Sequence, residues 1–542
     1  MLAITLQPVE YNVLQGLAHW AIVFGLVLLV SLFVSLVASL ATNGLRGPAR
    51  VVRHLGQAAN DFISLSPRRI YAVSWLTFLE AIRRKALLVF VVFAVLFMFG
   101  SWFLSGGSDR PELDVEVYVG FVFTAITWLV LPVAILLSCW GLPEDIRLRS
   151  LHTVVTKPVR RNEIVLGRIF GFGAVNTLIM GVMGIVGLIW IYRQAEGIDL
   201  VCRVPIYGTL SFVDRTGVVS DKGVNVGDIV EKRSFLEGGS KAAAYWSFPM
   251  PSSQTELMQF ESRFEGFRTY KGEMERQLRV RFTLINEDKQ LAIPLPDFSI
   301  SDFGKVEIPV QRSLTFTDPK AVATGGAAKP VTYDLFKDLA PNGTLLVKVQ
   351  CLDRGQYLGV SRGDFFIRTL PDRPFYVGYW KALCGVWLMV ILLVMIGVTA
   401  SCFVKGPVAS FLCFFVLMLG QPAEYFHQFV DKVVAQKPEV GGGAVESVYR
   451  IVMQMNQTVA LDAGPFKTCV QAIDAVPRGG LWLAMHLIPD LGSFWTVGWI
   501  GKGLDVPWSG ALLPSIAITL GYMLPCVLLG YFSLTLRELE AK

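Results

Sequence analysis

The chain has 542 residues, of which 53% are hydrophobic and only 17% charged, and its mean hydropathy is +0.51. Average soluble proteins carry about 25% charged residues, so this composition excludes a disordered, collagen-like or disulfide-framework protein and indicates a membrane protein. The net charge of +6 is small for this length, and the basic residues lie beside apolar segments, which argues against a nucleic-acid partner.

Seven segments are candidates for membrane-spanning helices, since a span needs about 20 mostly apolar residues. They are 17–41, 86–105, 118–141, 169–192, 379–404, 408–428 and 510–535. The sixth is the least regular, because the polar sequence QPAEYFH enters its second half. The first is predicted to be a retained helix and not a cleaved signal peptide, because residues 1–16 hold no Lys or Arg.

Basic residues are concentrated in two of the connecting loops. Eight lie in 42–85 and six in 142–168, whereas the loop after the second segment has Arg110 among four acidic residues. Cytoplasmic loops of membrane proteins carry an excess of Lys and Arg. We therefore expect a multi-pass protein of the cell (inner) membrane with both basic loops in the cytoplasm, its N-terminus outside and its C-terminus inside.

The predicted fold class is an α-helical polytopic membrane protein with an inserted extracytoplasmic β-rich, sandwich-like domain. The segments are an N-terminal spanning helix (1–42), a cytoplasmic loop with an amphipathic helix (43–85), spanning helices with a cytoplasmic hairpin at 143–168 (86–192), the β-rich domain (193–377), a spanning helix pair (378–428), an extracytoplasmic and interfacial segment (429–509), and the last spanning helix with a cytoplasmic tail (510–542).

The β-rich prediction depends on period-two alternation of apolar and polar residues. This pattern occurs at 278–284, 306–310 and 345–351. The segment shows no catalytic or metal-binding constellation, and the basic strand face at Arg276, Arg279 and Arg281 is interpreted as solvated. Cys202 and Cys351 are disulfide candidates, which their spacing leaves open.

The second external segment contains an apolar but interrupted sequence at 484–501. Its Pro489, Gly492 and Gly498 predict short helices at the membrane surface. His427 and His486 are single histidines and are interpreted as structural residues.

The first basic loop ends in an amphipathic helix. Ser66-Pro67 is a suitable helix start, since Ser caps helices well and Pro is favoured at the first helical position. The helix is predicted to lie on the inner membrane surface and to lead into the second span. Its candidate interfacial residues are Trp75, Leu79, Glu80, Arg83 and Arg84.

The second basic loop is predicted to form a helical hairpin. Pro158 would stop one helix and Asn162 would cap the next, while the basic residues hold the hairpin to the membrane surface. Such an element suits a docking surface for a cytoplasmic partner. The candidate docking residues are Glu144, Arg149, Lys157, Pro158, Arg160, Arg161, Glu163, Gly167 and Arg168.

Three segments of the chain resemble the membrane-spanning subunit of ABC-2 type exporters, nearest to permeases associated with multi-copper enzyme maturation and gliding motility. They are LTFLEAIRRK (76–85), the hairpin loop with Ser150-Leu151 and Thr156-Lys157-Pro158, and LIPDLGSF…GLDVPWSGALL (487–513). This chain differs from the family at three hairpin positions and adds a first helix and the β-rich domain. The resemblance implies a six-helix ABC-2 type core preceded by one extra N-terminal helix.

The resemblance also implies partners. Two permease subunits would pair as a homodimer or heterodimer, and two cytoplasmic ABC ATPase subunits would dock on the 143–168 hairpin. The sequence itself has no GxxxxGK[ST] phosphate loop, so ATP and Mg are expected in the partner ATPase, and no enzymatic activity or cofactor is expected in this chain. The predicted partners are this ATPase, a second permease and the lipid bilayer.

Other functions remain open at this level. The chain could transmit ATP-driven motion to its external domain without transport, or it could be a membrane-anchored binding or scaffold protein. Copper handling has only Met453-x-Met455 in its favour, and methionine is commoner as packing. Ion-coupled carriers usually place carboxylates or histidines within the membrane, and the predicted core helices hold almost none.

Overall fold

The computed structural model describes most of the chain. The described residues are 11–44, 47–83, 89, 92–93, 95–97, 100, 111–147, 159–196, 198–220, 222–224, 233–250, 256–268, 277–301, 304–316, 331–434, 443–456 and 464–540. They divide into a helical unit (10–200, 376–502 and 506–542) and a β-rich unit (201–375 and 503–505). The separate β-rich region predicted from the sequence is thereby confirmed.

The helical unit contains twelve α-helices among the described residues. They are α1 (Val13–Asn43), α2 (Gly47–Ile63), α3 (Pro67–Arg83), α4 (Pro111–Arg147), α5 (Arg161–Gln194), α6 (Phe375–Phe403), α7 (Gly406–Gly420), α8 (Ala423–Val434), α9 (Ala444–Val452), α10 (Pro465–Leu487), α11 (Val497–Gly501) and α12 (Leu513–Glu540). Residues Trp508–Leu512 form a π-helical turn that leads into α12.

Five helical segments in the described part of the chain are long and apolar enough to cross a membrane. They are Val13–Ala41, Asp114–Glu144, Arg161–Gln194, Phe375–Phe403 and Trp508–Thr535. These match five of the seven predicted spans and support a polytopic membrane protein. The predicted span at 86–105 lies mostly outside the described residues.

The predicted sixth span, 408–428, is not one continuous helix. It is divided into α7 and α8, whose axes differ by 70°. The helix breaks at Gln421-Pro422, because proline lacks the N–H that would continue the hydrogen-bond ladder. The turn at Pro489–Gly492 packs into the break, where the Leu491 N–H donates to the Gly420 carbonyl at 2.8 Å. The two helices together are long and apolar enough for one broken span or for a re-entrant loop, so the predicted sixth crossing stays a prediction.

Asp490 lies in the turn that fills this break. Burial raises the pKa of its carboxyl to about 6, and the nearby Glu424 adds to the rise, while the N–H of Gly492 acts in the opposite direction. The Gly492 N–H donates to the Asp490 Oδ1 at 3.0 Å. The short helices predicted at 484–501 are present as a 3₁₀ turn at Gly492–Phe494 and as α11.

Helix α2 is an element that the sequence analysis did not identify. A left-handed Gly44, with φ of 59°, ends α1, and Pro48 near the start of α2 suits a first helical turn. One side of α2 carries Val51, Val52 and Leu55, and the opposite side is polar. The loop predicted at 43–66 is therefore mainly helical.

The β-rich unit contains sixteen strands among its described residues. They are β1 (Val201–Tyr207), β2 (Thr209–Val213), β3 (Val219–Ser220), β4 (Ser234–Glu237), β5 (Ala243–Pro249), β6 (Leu257–Ser262), β7 (Glu265–Arg268), β8 (Leu278–Asn286), β9 (Leu291–Pro294), β10 (Phe298–Ile300), β11 (Val306–Gln311), β12 (Ser313–Phe316), β13 (Val331–Asp334), β14 (Thr344–Cys351), β15 (Gln356–Val360) and β16 (Phe365–Pro374).

These strands form four open sheets. A seven-stranded sheet has the order β10-β8-β14-β5-β2-β3, with β9 paired to β8, and a four-stranded sheet has the order β1-β16-β6-β11. The smaller sheets are β4-β15-β7 and β12-β13. Every named strand pair is antiparallel.

The core of this unit lies between the seven-stranded and four-stranded sheets, which contribute side chains to one hydrophobic cluster. The alternation predicted for β8, β11 and β14 is confirmed, because every second residue of these strands faces the core. Cys202 and Cys351 are both buried free thiols, so the candidate disulfide is not formed.

Candidate functional site

Most of the predicted docking residues lie between the end of α4 and the first turns of α5. Arg149, Lys157 and Pro158, together with Arg84 of the predicted interfacial helix, lie outside the described residues. The hairpin between α4 and α5 therefore stays a prediction. The described part of the site consists of the start of α5 and the helices that contact it.

Arg160, and not Asn162, is the N-cap of α5. The Arg160 backbone N–H donates to the Glu163 Oε2 at 3.0 Å, so the carboxylate in the first turn satisfies the capping residue. The Asn162 side chain is fully buried, and its Nδ2 donates to the Asp61 carbonyl at 2.8 Å. The predicted cap at Asn162 was wrong because this amide is used to hold α2.

Glu163 is the centre of a buried polar cluster. Its side chain is 0% exposed, and its Oε1 accepts the Ser66 N–H at 2.9 Å and lies 2.8 Å from the Arg69 guanidinium. Together with Arg160, these groups give the carboxylate three polar contacts. Burying a charge is tolerated only when it is paired and hydrogen-bonded. Glu163 therefore ties the first turn of α3 to the first turn of α5.

Asp61 extends this cluster to two further helices. The Arg160 guanidinium lies 3.4 Å from one Asp61 carboxylate oxygen and also donates to the Asn60 carbonyl at 3.2 Å. The other Asp61 oxygen accepts the Tyr531 hydroxyl at 2.8 Å. The start of α5 is thus joined to the end of α2 and to α12.

Two glycines let α3 and α5 approach closely. A Cβ at Gly167 would lie 2.6 Å from the Val73 Cβ, and one at Gly171 would lie 2.5 Å from the Thr77 Cβ and 2.7 Å from the Ser74 carbonyl. Small residues four apart allow this kind of backbone contact between membrane helices. Between the two glycines in sequence is Arg168. Its guanidinium lies 3.5 Å from the Glu80 carboxylate and over the Phe172 ring.

Gly171→Ala tests this contact. We expect a loss of about 2 kcal/mol in the free energy of unfolding, because the added methyl meets a backbone carbonyl that cannot rotate away. Equilibrium unfolding of the full-length chain in detergent measures the effect. Gly181→Ala in the same helix is the matched control, since a Cβ there meets nothing within 4 Å, and it should be neutral or stabilising. Equal effects of the two variants would contradict the close contact.

Three of the predicted docking residues are buried in the described part of the chain. Glu163, Gly167 and Arg168 face α3 or its flanks, and the Arg168 residue is only 7% exposed. In this structure these three residues position α3 against α5, and their part in docking stays a prediction. Glu144 and Arg161 are half-buried.

The predicted interfacial helix is α3. Unlike an ordinary surface helix, it buries its small and polar face and exposes its apolar face. Its small and polar face is buried at Thr77 and Ala81, and Thr77 packs on Gly171 of α5, while Trp75 and Leu79 are 51% and 36% exposed. Arg83 is exposed, and Glu80 is half-buried and turned toward Arg168. The apolar face predicted for the membrane surface is thus left uncovered by the described residues of the helical unit.

A cavity of about 360 Å³ lies beside the Asp61 cluster. Its walls come from α2, the first residue of α5 and the C-terminal part of α12. The lining residues are His54, Gln57, Asn60, Asp61, Arg161, Tyr531, Phe532 and Thr535. The cavity is a polar, partly basic recess next to the first residue of α5.

His427 and His486 come together although they are 59 positions apart. Their rings lie 5.3 Å apart edge to face, and the His486 ring also lies 4.0 Å from that of Trp482. Sequence spacing carries no signal for this pair, because α8 and α10 are brought together only by folding. Within the described ranges, no three or more His, Cys, Asp or Glu side chains are arranged to hold a metal ion.

Comparison with known proteins adds no family. A scan of the chain against protein-family models finds no match, and neither does a search of curated proteins.

Proposed function

We propose that this chain is the membrane-spanning permease subunit of an ATP-driven exporter of the ABC-2 type. ATP hydrolysis is supplied by a separate cytoplasmic subunit, which docks on the segment between α4 and α5. In this assignment α1 is the extra N-terminal helix, the later spans form the ABC-2 type core, and a second permease subunit completes the transporter. The start of α5 and the loop 42–85 lie on the cytoplasmic side, and the β-rich unit lies outside.

The observation that carries this proposal is the attachment of three helices to the start of α5. Glu163 holds α3, while Arg160 and Asn162 hold α2, and Asp61 reaches α12. A force applied to the docking segment just before α5 would therefore reach helices from both ends of the chain. Packed elements joined by ion pairs are the physical means by which such coupling travels.

The exposed apolar face of α3 supports the same assignment. Trp75, Leu76 and Leu79 lie on the side away from α5, and Arg68 and Arg83 are exposed near its two ends. An amphipathic helix of this kind lies in the headgroup region with its basic residues at the surface. Docking beside it would bring the ATPase against the inner leaflet.

A mechanotransmitting subunit is the second candidate. The observation in its favour is the separate β-rich unit, whose own core spans two sheets and which is large enough to act as a moving body. A measured substrate flux would distinguish an exporter from this alternative. A scaffold without an ATPase is the third candidate, and the following experiment separates it from the other two.

The test is affinity purification of the full-length chain from gently solubilised membranes, with identification of associated proteins by mass spectrometry. We expect a subunit with a phosphate-loop motif, and we expect Arg149→Glu combined with Lys157→Glu to reduce its recovery about tenfold or more. Arg160 is unsuitable for this test, because its substitution would also release Asp61.

Arg193→Glu is the matched control, since Arg193 is an exposed basic residue at the opposite end of α5. It should leave ATPase recovery unchanged. Absence of any ATPase with the wild-type chain would overturn the proposal and leave the scaffold candidate. An equal loss in the control would contradict docking on the segment between α4 and α5.

A further inference from the structure

Helices α9 and α10 pack on each other through their polar sides. Asp474 of α10 is fully buried, and its two carboxylate oxygens accept the N–H groups of Val445 and Glu446 at 2.8 and 3.0 Å. These N–H groups belong to the first turn of α9, where the helix itself offers no acceptor. A Cβ at Gly443 would lie 2.3 Å from the Asp474 carboxyl carbon, so the glycine permits the close approach. Asp474 therefore caps α9 from the neighbouring helix.

The other charged side chains of this pair of helices are also withdrawn from the surface. The Arg450 guanidinium donates to the Glu446 carboxylate at 2.5 and 3.1 Å, and both residues are buried. The remaining two are half-buried, and they are Lys467 and Arg478. In the described parts of the α9–α10 hairpin, 443–456 and 464–487, no Asp, Glu, Lys or Arg is exposed.

The outer surface of the hairpin is apolar instead. Large apolar side chains that are more than half exposed follow one another along both helices, and they are Val448, Ile451, Val452, Met453, Phe466, Ile473 and Val476. A surface helix of a soluble protein has the opposite arrangement, with its apolar side toward the core and its charges toward water. The hairpin is thus inverted, as expected for helices in apolar surroundings.

This apolar surface extends around most of α10. Among residues 472–480, Asp474 is buried and Arg478 is half-buried, and all the others are exposed. These two residues are four apart and so lie on one side of the helix. A single protein partner would cover one side of α10, whereas lipid surrounds a helix. The distribution of exposed residues therefore favours lipid over a protein partner.

Contacts with α12 place the end of α10 at membrane depth. The Tyr522 hydroxyl donates to the Leu487 carbonyl at 3.0 Å, and Tyr522 is about midway along the candidate span Trp508–Thr535. The Ser515 hydroxyl donates to the Ser493 carbonyl at 3.3 Å. Between these two contacts the chain moves by seven positions of α12, about 10 Å, toward its N-terminal end. Helix α10 thus ends near the middle of the span, and the following turn returns toward one surface.

The turn after α10 is built for this depth. Irregular backbone is tolerated within a membrane only where protein satisfies and covers it. Pro489 and Leu491 are buried, and the Leu491 N–H donates to the Gly420 carbonyl at the end of α7. The backbone of the turn is therefore held against α7, while the sides of α10 remain open.

We propose that α9 and α10 form a re-entrant hairpin, embedded in the lipid acyl chains of the bilayer half that contains the N-terminal half of α12. This goes beyond the interfacial segment predicted from the sequence, because it places the end of α10 at mid-depth and gives Asp474, Glu446 and Arg450 the role of a polar seam shielded from lipid. Such shielding is needed because a charge exposed to the bilayer interior is costly. The inference uses the candidate span α12 and is independent of any ATPase partner.

The experiment measures the surroundings of a nitroxide spin label by electron paramagnetic resonance. The full-length chain is reconstituted in phosphatidylcholine nanodiscs, with the two cysteines that are not buried, Cys384 and Cys469, replaced by serine. Labels are attached at Val476→Cys and, separately, at Ile451→Cys. We expect both labels to collide severalfold more with molecular oxygen, which concentrates in lipid, than with a water-soluble nickel chelate.

Val219→Cys in β3 is the matched control. Val219 and Val476 are the same residue type and are 78% and 79% exposed, so the two labels differ in their surroundings and not in their burial. The Val219 label should show the opposite preference, for the nickel chelate. Nickel access at Val476 or Ile451 equal to that at Val219 would show that the hairpin lies in water. Low access of both reagents would show that protein, such as a second copy of this chain, covers it, and either result would overturn the proposal.

Discussion

Replacing Glu163 by alanine is expected to lower the free energy of unfolding by about 3 kcal/mol. The variant leaves the N–H groups of Ser66 and Arg160 without their acceptor and removes the partner of Arg69. Breaking a buried pair from one side costs about 3–5 kcal/mol, and the lower end applies because the Arg69 side chain is 32% exposed. Equilibrium unfolding of the full-length chain in detergent measures the change.

The matched control for this substitution is Glu196→Ala. Glu196 is an exposed acidic residue just beyond the far end of α5, so its removal should change stability by less than about 0.5 kcal/mol. Glu163→Ala should also reduce recovery of the proposed ATPase partner if the attachment of α3 to α5 supports docking. A Glu163→Ala variant as stable as the control would show that the cluster does not hold these helices.

The second large effect is expected at Phe365 in the β-rich unit. Its ring lies 5.2 Å from that of Phe248, 5.3 Å from those of Trp246 and Phe282, and 5.5 Å from that of Phe260. Phe365 belongs to the four-stranded sheet, while Trp246, Phe248 and Phe282 belong to the seven-stranded sheet. One aromatic ring thus contacts both sheets at the centre of the core.

Phe365→Ala should lower the free energy of unfolding by about 4 kcal/mol, since removing a buried phenylalanine loses its transfer free energy and leaves a cavity. Loss of the near-UV circular dichroism signal at lower denaturant concentration is the measurement, because this signal reports fixed aromatic packing. Phe267→Ala is the control, as that ring is 40% exposed on the edge strand β7. A similar cost for both variants would contradict the central role of Phe365.

The sequence predicted the attachment of α3 to α5 only in part. Ser66-Pro67 correctly indicated the helix start. Sequence reasoning did not show that Glu163 and Arg168 are buried, because both look like surface charges when only their neighbours in the chain are considered. The groups that bury Glu163 come from Ser66 and Arg69, nearly 100 positions away.

Local patterns in the chain were enough to predict five helices long and apolar enough to cross a membrane, the β-rich region and the alternation of β8, since hydropathy and periodicity act over a few neighbouring residues. Folding alone decided the break between α7 and α8, the helix contact at Gly167 and Gly171, and the burial of Glu163. Each of these depends on packing between distant segments. Packing determines which charge is buried and which glycine is needed.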